Sequence, residues 1–148
     1  MTGSIRAYQI ADKAACLRIF DSNVPDFFDM SERDLLSDFL DSPIGAYFVV
    51  ERDGDVIGSG GFRKEDRGQA RFTWGMVHRK HHGDGLGQLL AEHRLLAIEK
   101  SGEYSEIEIH TTPKVAPFFK KFGFETRKVE PDGFAPGMDQ VQMIKNLT

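Results

Sequence analysis

The spacing of hydrophobic residues in the first 43 positions predicts a short strand followed by two helices. Residues 4–10 form the expected strand. Asp12 is the expected N-cap of the first helix, because its carboxylate can accept the free N–H groups of the first turn. Ser31 is the expected N-cap of the second helix, and Pro25 and Pro43 are the expected stops of the two helices.

The pattern changes to that of a β-sheet after residue 45. Residues 46–51 and 56–63 predict two strands, and Asp53-Gly54 between them can supply the positive φ angles of a tight hairpin turn. Residues 70–77 alternate in polarity and predict a third strand. On this alternation, one face of the third strand carries Phe72, Trp74 and Met76.

Helical spacing returns at Gly85 and lasts to Ser101. The apolar stripe of this helix is expected to consist of Leu86, Leu89, Leu90, His93, Leu96 and Ala97. A strand over 106–110 comes next. Thr112-Pro113 then opens a short helix that ends at Gly123, since proline suits a first helical position and glycine a helix end.

The last elements are strands over 124–129 and 140–144, joined by a loop over 131–137. The element order is therefore β-α-α-β-β-β-α-β-α-β-β. This order predicts a single α+β domain over residues 1–148, with a mixed central sheet and about four helices on its faces.

The composition narrows the class of protein. The chain has 148 residues, is 40% hydrophobic and 11% aromatic, and carries a net charge of -4, which favours a folded domain and gives no support for nucleic-acid binding. Residues 1–6 lack the apolar run of a secretory signal, and no stretch reaches the length of a membrane helix, so neither kind of segment is expected here. Its one cysteine, Cys16, fits a buried position in a reducing, cytoplasmic protein.

The segment 82–87, His-Gly-Asp-Gly-Leu-Gly, connects a predicted strand to a predicted helix. A helix N-terminus offers unpaired N–H groups and partial positive charge, and glycines let an anionic diphosphate approach closely. The same glycines would also suit a tight connection with no ligand. A P-loop is disfavoured because no Gly-Lys-Ser/Thr follows, and the glycine spacing and the preceding strands disfavour a dinucleotide fold.

Two motifs resemble the GNAT acetyltransferase superfamily. Residues 77–90 are similar to its acetyl-CoA signature, Arg/Gln-x-x-Gly-x-Gly/Ala, with His82 at the Arg/Gln position and Gly85 and Gly87 at the glycines. Residues 115–124 resemble its second signature, Ala-x-x-Phe-Tyr-x-x-x-Gly-Phe. The predicted element order is also that of the GNAT fold, so the resemblance covers essentially the whole chain.

The resemblance implies an N-acetyltransferase that uses acetyl-CoA and acts on a small-molecule or peptide amine by direct attack. Charge and hydropathy favour neither a nucleic-acid nor a membrane partner, and the resemblance admits a homodimer, since family members often dimerise. The backbone that would hold the pyrophosphate is that of His82, Gly83, Asp84, Gly85, Leu86, Gly87 and Gln88. The residues that would contact the pantetheine arm are Met76, Val77, His78, Thr112 and Phe119.

The chain departs from the family pattern at three places. Phe119 stands where the family often has a tyrosine that protonates the leaving thiolate, and phenylalanine has no proton to give. Thr112 stands where an asparagine is frequent. The positions of a frequent base fall near Arg71 and Thr73, and neither is a good base. A catalytically inactive acyl-CoA sensor is therefore an alternative function, and a nucleotide or phosphate binder is a third.

The candidate acid–base residues are His110, at the end of a strand, and Tyr104, at the start of the same strand. A polar strand end and a packed aromatic ring are the ordinary alternatives for the two. His78, His81 and His82 share one turn with two cations, so phosphate contacts are expected of them and a metal site is not.

The family builds one wall of the acceptor site from the segment between the first two helices. Here the candidate substrate-binding residues on that wall are Asn23, Phe27, Phe28 and Glu32. Carboxylates beside aromatic rings suit a cationic amine. The alternative is an ordinary helix connection with its phenylalanines in the core.

Overall fold

The computed structural model describes residues 3–148 and contains seven strands and four α-helices. The strands are β1 Ser4–Ala7, β2 Ala46–Arg52, β3 Asp55–Lys64, β4 Gln69–Val77, β5 Glu106–Thr111, β6 Glu125–Ala135 and β7 Met138–Asn146. The α-helices are α1 Lys13–Ser22, α2 Arg33–Asp41, α3 Leu86–Ser101 and α4 Ala116–Lys120. No helix among these residues has the length and hydropathy of a membrane span.

The strands form one sheet in the order β1-β2-β3-β4-β5-β7-β6. All neighbours are antiparallel except β4 and β5, which are parallel because α3 connects them as a crossover. The predicted element order and α+β class are confirmed. The sheet is mixed, as predicted, and mostly antiparallel.

The parallel pair β4–β5 is joined over only part of its length. Gln69, Ala70 and Arg71 pair with residues 106–108, and no later residue of β4 pairs with β5. The two strands therefore separate over residues 72–77 and 109–111, a region called the splay below. An opening at this point exposes backbone groups in the middle of the sheet, where a ligand can reach them.

The helices cover the two faces of the sheet in pairs. On one face α1 and α2 pack against β2 and the end of β4, and Phe20, Leu36 and Val49 are fully buried there. On the other face α3 and α4 enclose a cluster that includes Phe72, Ile107, Phe119 and Phe124. Two layers of apolar side chains thus fix the sheet between helices and hold the splay in place.

The bulge in β4 corrects the expected alternation. Between β3 and β4 the register moves from Gly61↔Thr73 to Ser59↔Met76, and Trp74 has a φ of 38°. The extra residue of the bulge moves the side chains that follow it to the opposite face of the sheet. Phe72 therefore packs with α3 and α4, whereas Trp74 and Met76 pack with α1 and α2. The prediction that these three side chains share a face is wrong.

Several predicted boundaries also differ. Asp29, not Ser31, caps the turn before α2: its carboxylate accepts the Ser31 N–H at 3.0 Å, and Glu32 completes the capping box. Asp12 precedes α1 but makes no side-chain cap, because its carboxylate binds Arg6 and the Gln9 N–H. The Asp53-Gly54 turn is confirmed, with φ angles of 53° and 84°.

The C-terminal predictions are partly wrong. The short helix starts at Ala116 rather than at Thr112-Pro113, with Pro117 in its first turn, and Gly123 follows it with a φ of 92°, as expected of a terminator. The expected loop over 131–137 is mostly strand, since β6 continues to Ala135 with a register shift after Glu130.

Candidate active site

One cavity of about 810 Å³ passes through the splay. It begins at the glycine turn (residues 82–88), crosses between β4 and β5, and reaches the connection between α1 and α2. The site predicted for a cofactor and the site predicted for an acceptor therefore share one continuous space.

The glycine turn is open toward solvent and cavity. Gly83 and Gly85 have φ angles of 87° and 82°, and a Cβ on either would meet no atom within 4 Å. The first backbone bond of the helix is from the Leu89 N–H to the Gly85 carbonyl at 3.0 Å. The preceding amides, from Gly85 to Gln88, are thus free to bind an anion, as expected at a helix N-terminus.

The side chains around the turn are engaged in local contacts. Asp84 lies 3.3 Å from Arg52 and 3.5 Å from His81, so its charge is partly neutralised. His82 Nε2 donates to the Val77 carbonyl at 2.8 Å. His78 accepts the Lys80 N–H, and burial together with neighbouring cationic groups lowers its pKa. Leu86 is buried, so only its backbone is available to a ligand.

Of the five residues predicted for the pantetheine arm, Met76 and Val77 end β4 and line the cavity, whereas His78 follows the strand and does not line it. His78 donates its N–H to Ile57 on the β3 side. Strand alternation therefore directs the Val77 N–H away from β3 and into the splay. The Val77 carbonyl is already held by His82 and by Asn23 Nδ2 at 3.0 Å. Met76 lines the cavity with its mostly buried side chain.

Thr112, directly after β5, and Phe119 in α4 face the same cavity. The Thr112 hydroxyl is buried and has no hydrogen-bond partner among residues 3–148. A buried hydroxyl without a partner is costly, so this group fits a ligand that supplies one. Phe119 is buried and packs edge-on against Phe72 and Phe118, so it shapes the wall without polar contacts.

The residues predicted for the acceptor wall all line the cavity, although two of them are held by the protein itself. Asn23 is buried, and its amide donates to the Ile19 carbonyl at 2.8 Å as well as to Val77, so it ties α1 to β4. Phe28 stacks on Phe20 with ring centroids 5.1 Å apart. Phe27 is less enclosed and lies edge-on to His82, with Arg79 5.6 Å from its ring centre.

Glu32 is the acidic member of this wall. Its Oε2 accepts the Asp29 N–H at 2.9 Å, and its other oxygen has no hydrogen-bond partner among the described residues. Burial raises the pKa of Glu32 above its usual value. A carboxylate that faces a cavity and has a raised pKa is a stronger base than an ordinary glutamate, so it is suited to accept a proton from a bound amine.

His110 also lies in the cavity, but its contacts are different. Arg71 Nη2 is 2.8 Å from His110 Nδ1, and Glu108 Oε1 is 3.3 Å from Nε2. Since a guanidinium can only donate, Nδ1 accepts and Nε2 carries the proton. Burial and the Arg71 charge lower the pKa of His110. The nitrogen lone pair that a base would use is therefore occupied.

Tyr104 is not brought to the cavity. Its ring lies 6.4 Å from that of Phe62, at the end of the sheet where β4 and β5 are still paired. Because the two strands are parallel, the start of β5 lies beside the start of β4, away from the splay. Tyr104 is thus placed as a packed aromatic ring, and burial raises its pKa.

The sequence pattern missed Arg94. The buried stripe of α3 contains Leu86, Leu90, Arg94 and Ile98, spaced four residues apart, whereas Leu96 is 51% exposed. Arg94 is 2% exposed and lines the cavity. An arginine at the four-residue spacing between Leu90 and Ile98 is the signal that identifies it in the sequence.

Phe134 is a second cavity-lining residue that the sequence pattern missed. It lies in the expected loop 131–137, which in the structure belongs mostly to β6.

The family comparison is consistent with this geometry. A family model described as an acetyltransferase (GNAT) domain matches residues 43–126 of the chain. The matched part contains the glycine turn, the splay and Thr112. No curated protein sequence matches the chain.

Solved structures of the same fold cover nearly the whole chain. Ard1 from Thermoplasma volcanium is 19% identical, with a TM-score of 0.83 over 100% of this chain and 99% of its own. The ribosomal-protein-S18-alanine N-acetyltransferase from Escherichia coli is 16% identical, with a TM-score of 0.82 over 99% of this chain and 94% of its own. YncA from Salmonella typhimurium, solved with its cofactor acetyl-CoA, is 20% identical, with a TM-score of 0.76 over 100% and 95%.

Proposed function

The chain belongs to the GNAT acetyltransferase family, and we propose that it transfers an acetyl group from acetyl-CoA to a primary amine. The observation that carries the proposal is the continuous cavity that joins the glycine turn, the splay and the acceptor wall. A thioester bound from one side of the sheet and an amine bound from the other would meet in the splay.

The cofactor half of the proposal rests on free backbone groups. The amides from Gly85 to Gln88 would hold the diphosphate, helped by the positive end of α3. The Val77 N–H and the Thr112 hydroxyl would hold the pantetheine arm. These groups lie along one path through the cavity, from the turn toward the bulge in β4.

The chemistry requires a neutral amine and a leaving thiolate. The amine nitrogen attacks the thioester carbonyl carbon, a C–N bond forms, and the C–S bond breaks with its electron pair on sulfur. We assign to Glu32 the role of accepting the amine proton, directly or through a water, because its carboxylate faces the cavity and its pKa is raised. Phe119 offers no proton, so the thiolate takes one from solvent.

The acceptor wall favours a cationic amine that loses its charge on binding. Asp26 is engaged by Arg79 at 2.6 Å and Asp29 by Ser31, and neither lines the cavity. Glu32 lines it and uses only one oxygen in the cap, so its other oxygen can meet an incoming ammonium group. The rings of Phe28 and Trp74 lie beside the same space and would provide apolar and cation–π contacts.

The direct test is thiol release from acetyl-CoA over a panel of polyamines, amino acids, aminoglycosides and peptides. The panel includes a peptide with N-terminal alanine, since one structural neighbour is a ribosomal-protein-alanine N-acetyltransferase. We expect release with one acceptor class. Calorimetric binding of acetyl-CoA with no release for any amine would instead favour the acyl-CoA sensor.

Glu32→Gln tests the assigned base. The amide oxygen of glutamine can still accept the Asp29 N–H, so the capping contact is kept while the proton acceptor is lost. We expect kcat/KM to fall about 10²- to 10⁴-fold, and the wild-type rate to rise with pH through the pKa of Glu32. Asp29→Asn is the control, because it perturbs the same cap from outside the cavity. An equal loss in both variants would mean that Glu32 acts only through structure.

A further inference from the structure

Arg94 is a buried cation without an acidic partner. Its side chain is 2% exposed, in the middle of α3. Its only hydrogen bonds among residues 3–148 are two long ones of 3.4 Å, to the Leu90 and Gly61 carbonyls. No aspartate or glutamate of the described chain forms an ion pair with it. Burial lowers the pKa of Arg94 to about 10, which reflects an unfavourable place for a charge.

The sheet is shaped around the guanidinium. A Cβ on Gly75 would lie 3.1 Å from both terminal nitrogens of Arg94, and a Cβ on Gly60 would lie 3.4 Å from its central carbon. The Phe72 ring is 4.0 Å from the same carbon and supplies a cation–π contact. Two glycines at the bulge thus leave room for the charged group at the wall of the cavity.

The position of Arg94 matches the end of the bound donor. With a rise of about 1.5 Å per residue, Arg94 lies about 10 Å along α3 from Gly87. The path proposed for the pantetheine arm runs from the turn past Val77 and Met76, and the next residue of β4 is Gly75. Gly75 faces Arg94 on the α3 side of the sheet, whereas the acceptor wall lies on the α1 side.

We propose that Arg94 binds a carboxylate at the far end of a longer acyl group, so that the site also accepts dicarboxylic acyl thioesters of coenzyme A and binds them more tightly than uncharged thioesters of the same length. The proposal rests on the proposed function, since it assumes that the thioester lies in the splay. A permanently charged carboxylate compensates a buried guanidinium through paired, charge-assisted hydrogen bonds. An acetyl group offers Arg94 no anion and leaves its charge without a partner.

Calorimetric binding of matched thioesters tests the proposal. Succinyl-CoA and butyryl-CoA have acyl groups of similar size that differ by a carboxylate in place of a methyl group, and malonyl-CoA and propionyl-CoA form a second such pair. In at least one pair we expect the carboxylated thioester to bind about 10- to 100-fold more tightly, the range of a charge-assisted hydrogen bond. A wild-type protein that prefers the uncharged member of both pairs, or neither member, overturns the proposal.

Two variants test which arginine causes the preference for the carboxylated thioester. Arg94→Met keeps the length of the side chain without its charge and is expected to abolish the preference while coenzyme A itself still binds. Arg71→Met removes an arginine of β4 that also lines the cavity, and it is expected to leave the preference intact. A preference lost in Arg71→Met and kept in Arg94→Met contradicts the assignment.

The outcomes also separate this proposal from the proposed function. Binding of coenzyme A and acetyl-CoA with no carboxylate preference refutes the role of Arg94 and leaves the transferase proposal standing. Absence of binding by every thioester refutes both. The wild-type comparison does not depend on any variant, so a variant that fails to fold does not prevent a decision.

Discussion

Glu32 and His110 line the same cavity, and their surroundings shift their pKa values in opposite directions. Burial makes the Glu32 carboxylate a stronger base than usual. Burial and the Arg71 cation make the His110 imidazole a weaker one. When the surroundings of two titratable groups in one site shift their pKa values apart, the shifts indicate which group accepts the proton. Here the opposite shifts favour Glu32 as the base.

Replacing His110 tests this distinction. His110→Gln removes the imidazole but keeps a side chain that can accept from Arg71. We expect kcat/KM for thiol release to fall by less than about tenfold, since loss of a true general base costs about 10²- to 10⁴-fold. A loss in the larger range, with an unchanged Kd for acetyl-CoA, would restore His110 as the base and contradict the assignment of Glu32.

At the scale of single residues, the sequence predicts which positions belong to the site better than it predicts which side chains contact each other. The first motif predicted the glycine turn and the resemblance pointed to Thr112, because a backbone turn and a strand end follow from local spacing. The contact between Arg71 and His110 joins residues on two strands that meet only in the fold. Arg94 was missed because arginine does not count as apolar, although its four-residue spacing with Leu90 and Ile98 is regular.

At the scale of elements, β4 positions the site through its bulge and its early separation from β5. The alternation of residues 70–77 predicted the strand but not the bulge at Trp74, because the same pattern of residues is compatible with a regular strand. The splay likewise depends on where pairing stops, which tertiary contacts decide. Thus the elements could be predicted from the sequence, and the opening between two of them could not.

Asp12 connects β1 to the start of α1. Its carboxylate accepts from Arg6 at 2.8 and 2.9 Å and from the Gln9 N–H at 2.8 Å, and Arg6 holds its pKa below the usual value. We expect Asp12→Asn to lower the free energy of unfolding by about 1–2 kcal/mol at pH 7, after allowance for the solvent exposure of Arg6. Urea denaturation measures this change.

The contribution of Asp12 to the free energy of unfolding is expected to decrease as the pH falls. A lowered pKa in the folded state stabilises the protein above the ordinary pKa of aspartate, and the contribution disappears as pH falls through the folded value. The two proteins should therefore approach equal stability in acid. Asp41→Asn is the control: Asp41 pairs with Lys13 at 2.6 Å but is 59% exposed, so its loss should cost about 1 kcal/mol or less. Equal losses at the two positions would contradict the role given to Asp12.

At the scale of the whole molecule, the order of strands and helices was predictable because each change of hydrophobic period marks one element. The main error, the loop expected over 131–137, has a positional cause. β6 is an edge strand, where Pro131 removes no ladder hydrogen bond that the sheet requires. Proline and glycine within a strand pattern predict a loop, unless it is known that the strand lies at the edge of the sheet.

The proposed reaction requires the glycine turn as the diphosphate site, and calorimetry of acetyl-CoA binding to two matched variants tests this requirement most directly. Gly85 and Gly54 have nearly the same φ, 82° and 84°, and in both cases an added Cβ meets no atom within 4 Å. Gly85→Ala and Gly54→Ala should therefore cost similar stability, about 1–2 kcal/mol each.

Only the methyl group at position 85 would lie where phosphate oxygens approach the free amides of α3. We expect Gly85→Ala to weaken acetyl-CoA binding on the order of tenfold or more, the equivalent of one charge-assisted hydrogen bond, and Gly54→Ala to bind as the wild type does. Equal affinities in the two variants and the wild type would contradict the account, because the diphosphate would then have to bind elsewhere.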